Sequence, residues 1–181
     1  QYLLNIGVWL KMSATSKLAS ILSSEQGQIS CFEIEVFYLN QRRSKNPMHD
    51  EIKESIRSKG IQDPLHIVFH PVQKKWVLSQ GGQTRLLICR ELYDETKADS
   101  FLYPPVSKQK FTSDLDLCIS HLVENNLRGD NTFLETANAV LNIRNLLAEG
   151  SETTQELLAK EMSSRGMPIR RQSITAMMYL A

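Results

Sequence analysis

The stretch Trp76-Val77-Leu78-Ser79-Gln80-Gly81-Gly82-Gln83-Thr84-Arg85-Leu86-Leu87-Ile88 decides how the rest of the chain reads. It spells a short strand, a double-glycine turn and a helix that opens on a hydroxyl and a guanidinium. Two glycines let the backbone take φ > 0 and let another group approach closely. A helix start behind them presents unpaired N–H groups and the positive end of a dipole, both suited to an anion. Arg85 adds a planar fork able to grip a phosphate through two hydrogen bonds. Turns of this kind are common, so its meaning depends on its neighbours.

The 181 residues suit one moderate domain or two small ones, and 41% hydrophobic with 23% charged residues is enough for a real core. A net charge of +1 excludes a globally basic nucleic-acid binder, so any DNA contact has to come from local patches. The chain opens on Gln1 rather than Met, which leads us to expect a partial or processed chain. Residues 2–10 are apolar but too short to cross a bilayer, and read as an amphipathic helix. Cys31, Cys89 and Cys118 are widely spaced with no Cys-x-x-Cys pair, which argues against a disulfide framework or zinc cluster and fits a reducing cytoplasm. His66 and His70 fall in an alternating, strand-like run, where residues four apart lie about 13 Å from each other and cannot share an ion.

Residues 13–28 are Ser-rich around Leu18, Ile21 and Leu22, a helix followed by a loop. Residues 32–39 alternate as a strand and run into a basic turn at 40–47. Met48, Ile52 and Ile56 then recur at helical spacing, with Gly60 as the helix C-cap. Residues 65–69 and 76–80 read as strands, 83–92 as a helix and 101–106 as another strand. This order predicts a small mixed α/β unit.

From Asp114 the pattern becomes helical, with Leu115, Ile119, Leu122 and Val123 as one stripe. Thr132 with Glu135, and Thr153 with Glu156, read as capping boxes that open two further helices. A glycine-containing turn at 163–169 separates the last two, as in a helix-turn-helix. The final helix begins with Arg170, Arg171, Gln172, Ser173 and Thr175, types that bond base edges and phosphates when a helix end enters the major groove. A plain helical hairpin fits those residues equally well. The expected fold class is α+β: a helical extension at 1–31, a mixed α/β unit at 32–112 and a helical DNA-binding region at 113–181.

Four segments occur in a meaningful order: Asn-Gln-Arg-Arg at 40–43, Gly-Ile-Gln-Asp-Pro-Leu at 60–65, Gly-Gly-Gln-Thr-Arg at 81–85 and Glu-Asn-Asn-Leu-Arg at 124–128. With the trailing hairpin, the set resembles the ParB family of chromosome and plasmid partition proteins, over about residues 32–181 and without the C-terminal dimerisation region. The variants carried by integrating conjugative elements look most alike. The resemblance implies a CTP site made by Arg43, Gly60, Gln62, Gly81, Gly82, Gln83, Thr84, Arg85, Asn125 and Arg128. It implies that Asn125 serves Mg²⁺ through the nucleotide and that Glu124 helps position water for slow CTP hydrolysis. It also implies a homodimer that embraces DNA, a ParA-type ATPase as partner and a cytoplasmic location, with no membrane association.

The glycine box departs from the family pattern at Gln83 and Thr84, where a Glu and a further Arg are usual. That leaves two outcomes open: binding without hydrolysis, or no nucleotide use. The turn also looks like that of sulfiredoxin, but Gln83 and Thr84 replace its Cys and His, so the redox nucleophile is missing. The expected function is a DNA-binding partition or accessory protein gated by CTP. The alternative is a nucleotide-independent helix-turn-helix regulator on the same scaffold. A nuclease is least favoured, because no dense carboxylate cluster suited to two metals is visible.

Overall fold

In the computed structural model, residues 28–40, 45–127, 132–148 and 153–180 are described. The predicted extension at 1–31, apart from its last residues, lies outside that set, as do Arg43 and Arg128. The chain order is β1 (Ile34–Glu35), α1 (His49–Lys59), β2 (Leu65–His70), β3 (Lys75–Leu78), α2 (Gln83–Thr96), α3 (Asp99–Leu102) and β4 (Val106–Gln109). Four helices follow: α4 (Asp114–Leu127), α5 (Phe133–Leu147), α6 (Gln155–Ser164) and α7 (Arg171–Leu180). The mixed α/β unit followed by a helical region is the fold class expected from the sequence.

The strands form one sheet in the order β1-β3-β2-β4. β2 and β3 are antiparallel, with Val68 opposite Val77, whereas β1 runs parallel to β3 and β4 parallel to β2. Successive strand residues face opposite sides, and here both sides are covered. Leu65, Ile67 and Leu78 pack with Leu86 and Cys89 of α2. Val68 and Val77 point the other way, into a core shared with α4, α5, α6 and α7. α1 lies on α2 through Ile56, Ile88 and Leu92. Lys53 bridges Glu91 at 2.6 Å and Glu95 at 2.8 Å across that seam.

Three local expectations are corrected. The strand expected at 32–39 shrinks to Ile34–Glu35, which meet Trp76 and Val77. Beyond it, Phe37 leaves the ladder and crosses to the opposite core, where its ring stacks on His121. Packing of one large side chain overrides the alternation. The strand expected at 101–106 is instead the short helix α3 followed by β4 at Val106–Gln109. Pro104 and Pro105 cannot donate to a ladder, so pairing begins where the Pro105 carbonyl accepts from Leu65 N–H at 2.9 Å. Finally, α6 is capped by Thr154, whose hydroxyl accepts from Leu157 N–H at 3.2 Å, and not by Thr153. The other capping box is formed as expected, with Thr132 and Glu135 bonding reciprocally.

α4 connects the two halves. At its start Asp114 accepts from His70 Nε2 at 2.8 Å and from Tyr38 OH at 2.7 Å. Two residues on, Asp116 accepts from Arg165 Nε at 2.8 Å, which ties the turn of the final hairpin to the same helix. Both aspartates, which in the sequence look only like a helix start, are therefore clamps.

Candidate functional site

β3 ends at Leu78, and two hydrogen bonds hold that end in place. Ser79 N–H donates to the His66 carbonyl at 2.9 Å. His121 Nε2 of α4 donates to the Leu78 carbonyl at 2.9 Å. The Ser79 hydroxyl donates to Gln109 Oε1 at 2.9 Å, and Gln109 Nε2 donates to His66 Nδ1 at 3.1 Å. The chain then turns through the two glycines. Gly82 has φ +90° and a Cβ there would meet Leu65 Cδ2 at 3.1 Å, so both backbone and space call for glycine. Gly82 is also the N-cap of α2, with no side-chain cap and no acidic residue in the first turn. The helix start therefore keeps its positive end uncompensated by its own side chains.

Around this turn is a cleft of about 130 Å³. Six of the residues expected at a nucleotide site line it together: Gly81, Gly82, Gln83, Thr84, Arg85 and Asn125. Asn125, the buried polar residue near the end of α4, is only 7% exposed and borders the cleft. An amide bordering a cleft can offer a donor and an acceptor to whatever enters it. Asn46 and Ile52 also line the cleft and were not expected from the sequence. Asn46 caps the approach to α1, its Oδ1 accepting from Met48 N–H at 2.9 Å. A polar residue just before Pro47 is the signal that could have revealed it.

Other expected residues stand elsewhere. Gly60 ends α1 with φ 72°, as a C-cap in open surroundings. Gln62 is exposed and donates back to the Lys59 carbonyl at 2.6 Å. The residue of this segment that reaches the site is Asp63, whose Oδ2 accepts from Arg85 Nη1 at 2.5 Å. Nothing in the sequence pairs two residues so far apart. Glu124 is not a wall of the cleft; its carboxylate accepts from Gly81 N–H. Among the described residues, no group of three or more His, Cys, Asp or Glu side chains is placed to hold a metal ion. His66 and His70, both on β2, have separate partners, Gln109 and Asp114. All three cysteines are buried, and burial pushes the Cys89 and Cys118 thiols up to about 12. Among the described residues, no helix is long and apolar enough to cross a membrane.

The helical hairpin presents Arg170, Arg171 and Gln172 exposed, with Ser173 and Thr175 half-buried. Thr175 Oγ1 donates to Gln155 Oε1 at 2.9 Å, so it helps hold α7 against α6.

The topology above recurs in a solved structure. A Pnob8-like ParB-N domain is 16% identical and superposes with a TM-score of 0.56, over 84% of this chain and 67% of that one. The fold is shared with a ParB-N domain. The C-terminally truncated chromosome-partitioning protein ParB from Caulobacter crescentus is also similar in two complexes. With the centromeric parS site it is 18% identical, with a TM-score of 0.45 over 84% of this chain and 70% of that one. With CTP-γ-S it is 21% identical, again with a TM-score of 0.45, over 84% of this chain and 76% of that one. No family model and no curated protein matches the sequence.

His121 gives the site a pH signature. Its ring is buried against Phe37, and Nδ1 has no hydrogen-bond partner. Burial holds its pKa below the ordinary histidine range, against smaller upward pulls from the Leu78 carbonyl and Glu124. The unfolded chain therefore takes up this proton first as pH falls, and stability rises with pH across that interval. We expect no contribution from His121 above about pH 6.5 and a loss below it of at most about 1.4 kcal/mol per pH unit. Urea titrations from pH 7.5 to 5 should show that slope in the native chain and a shallower one in His121→Asn. Equal slopes would remove His121 as its source.

Proposed function

We propose that the chain binds a nucleoside triphosphate at the glycine turn and uses its occupancy, through α4, to set the helical region that contacts DNA. One observation carries this reading: the glycine turn, the uncapped start of α2, Arg85 and the distant Asn125 of α4 line one cleft. Cleft size limits what enters. Sites for whole drug-sized ligands are about 300–1,000 Å³, so a cleft of about 130 Å³ takes phosphoryl groups, leaving the nucleoside on the surface beside it. In this reading the Gly81 and first-turn amides, the Thr84 hydroxyl and Arg85 bind the phosphates. The Asn125 amide oxygen is a hard donor suited to a phosphate-bound Mg²⁺, whose chemistry would be to neutralise phosphate charge. Cytosine as the base follows from the sequence resemblance, as do slow hydrolysis assisted by Glu124, homodimerisation, a ParA-type partner and a role on an integrating conjugative element.

Calorimetric titration with CTP in Mg²⁺, with ATP as control, tests the reading. CTP-selective binding, lost in a folded Arg85→Ala variant, is the expected outcome. Unchanged affinity in that variant would move the site away from the glycine turn.

A second reading has its own support. Arg85 is already engaged by Asp63, while Arg170, Arg171 and Gln172 stand exposed at the start of α7. A nucleotide-independent DNA binder would show DNA affinity falling steeply with salt and unchanged by CTP.

A further inference from the structure

The glycine turn already holds an anion of the chain's own. Gly81 N–H donates to the Glu124 carboxylate, and a Cβ built on Gly81 would collide with that same group. A carboxylate oxygen therefore occupies the position from which a phosphoryl oxygen would accept this hydrogen bond. Arg85 is engaged in the same way. Its Nη1 donates to both the backbone carbonyl and the carboxylate of Asp63. The Arg85 side chain is 16% exposed and that of Asp63 63%, so the arginine is seated in the protein while its partner lies in solvent. Beside these two engaged donors, Asn125 lines the same cleft.

We propose that Glu124 and Asp63 are internal stand-ins for two phosphoryl groups, so that the site rests in a self-occupied form and binds its ligand by exchange. This rests on the phosphate-binding reading above and adds its ligand class and its control. Two stand-ins imply a ligand with at least two linked phosphoryl groups. One replaces Glu124 at Gly81 and the other replaces Asp63 at Arg85. Apparent affinity is then the intrinsic affinity reduced by the fraction of time the carboxylates are in place. Displacement of Glu124 removes a tie between the last turn of α4 and the glycine turn, while Asp114 and Asp116 keep the first turn fixed to His70 and Arg165. Ligand entry is thus coupled to the end of α4 that leads into α5, and not to its anchored beginning.

Calorimetric titration of the full chain with pyrophosphate tests this in the native protein, Glu124→Gln and Asp63→Asn. Each substitution removes a negative charge that competes with and repels the ligand, so each should tighten pyrophosphate binding by about tenfold. Thermal melts establish that the variants are folded. If Glu124→Gln is unfolded, Glu124→Asp takes its place; its shorter side chain retreats from Gly81 and should give a smaller gain. Native binding with equal or weaker affinity in the variants would overturn the exchange and leave the phosphate-binding reading standing. No binding by any of the chains would overturn both.

Discussion

Replacing Phe37 with alanine is expected to cost about 3–5 kcal/mol of stability, the range for deleting a buried aromatic ring. Phe37 is 1% exposed and lies where the sheet meets the helical region. Its ring is stacked on His121 with centroids 5.8 Å apart and meets Tyr38 edge-on at 4.9 Å. It shares a core with Val68 and Val77 on one side and Leu117 and Leu122 of α4 on the other. The lost ring leaves a void between layers that strands and helix cannot close without shifting α4, and with it Asn125. Ordinary domains have only about 5–15 kcal/mol in total, so this change takes a large fraction. Urea denaturation followed by circular dichroism measures it. A loss under about 1 kcal/mol would mean that the two layers are not held together through this ring.

Ile174→Ala should cost about 2–5 kcal/mol, but with a different distribution. Ile174 is fully buried in α7, in one cluster with Leu158 and Met162 of α6 and Val140 and Ile143 of α5. α7 packs on both of those helices. Hydrogen exchange should therefore quicken first in α6 and α7, with β2 and β3 keeping more protection, since elements open locally when their own contacts are lost. Uniform acceleration across the sheet would show instead that the hairpin and the sheet unfold as one unit. Local loosening should also weaken any DNA contact made by Arg170, Arg171 and Gln172, because those residues depend on α7 for their placement.

The glycine turn was legible because each requirement is local. Strand residues, two glycines and a helix start within thirteen residues carry their own conformational preferences, and the structure has Gly82 at φ +90° at the start of α2. The Thr132–Glu135 cap and the C-cap Gly60 are local in the same sense. At 101–106 local reading failed, because Phe101 and Leu102 pack into two different cores from a helical turn and the two prolines postpone pairing. At 32–39 it failed because Phe37 gains more from the far core than from continuing the ladder.

The candidate site divides along the same line. Gly81 through Arg85 come from one stretch, and Asn125 was placed with them by a resemblance in segment order. Asn46, Asp63 and the position of the Glu124 carboxylate were not visible. Each depends on how a distant segment lies against the turn, and no periodicity encodes a hydrogen bond between residues more than twenty positions apart.

By itself, then, the sequence determined most of the helices and the central strand pair, where a positive φ is required and which residue types could meet a phosphate or a base edge. Tertiary structure alone decided that Asp63 holds Arg85, that Glu124 fills the hydrogen bond of Gly81, and that Asn125 lies against the same cleft. The reason is physical. Backbone preferences act over a few residues, whereas charges and buried amides are satisfied by whatever the packed chain brings within about 3 Å.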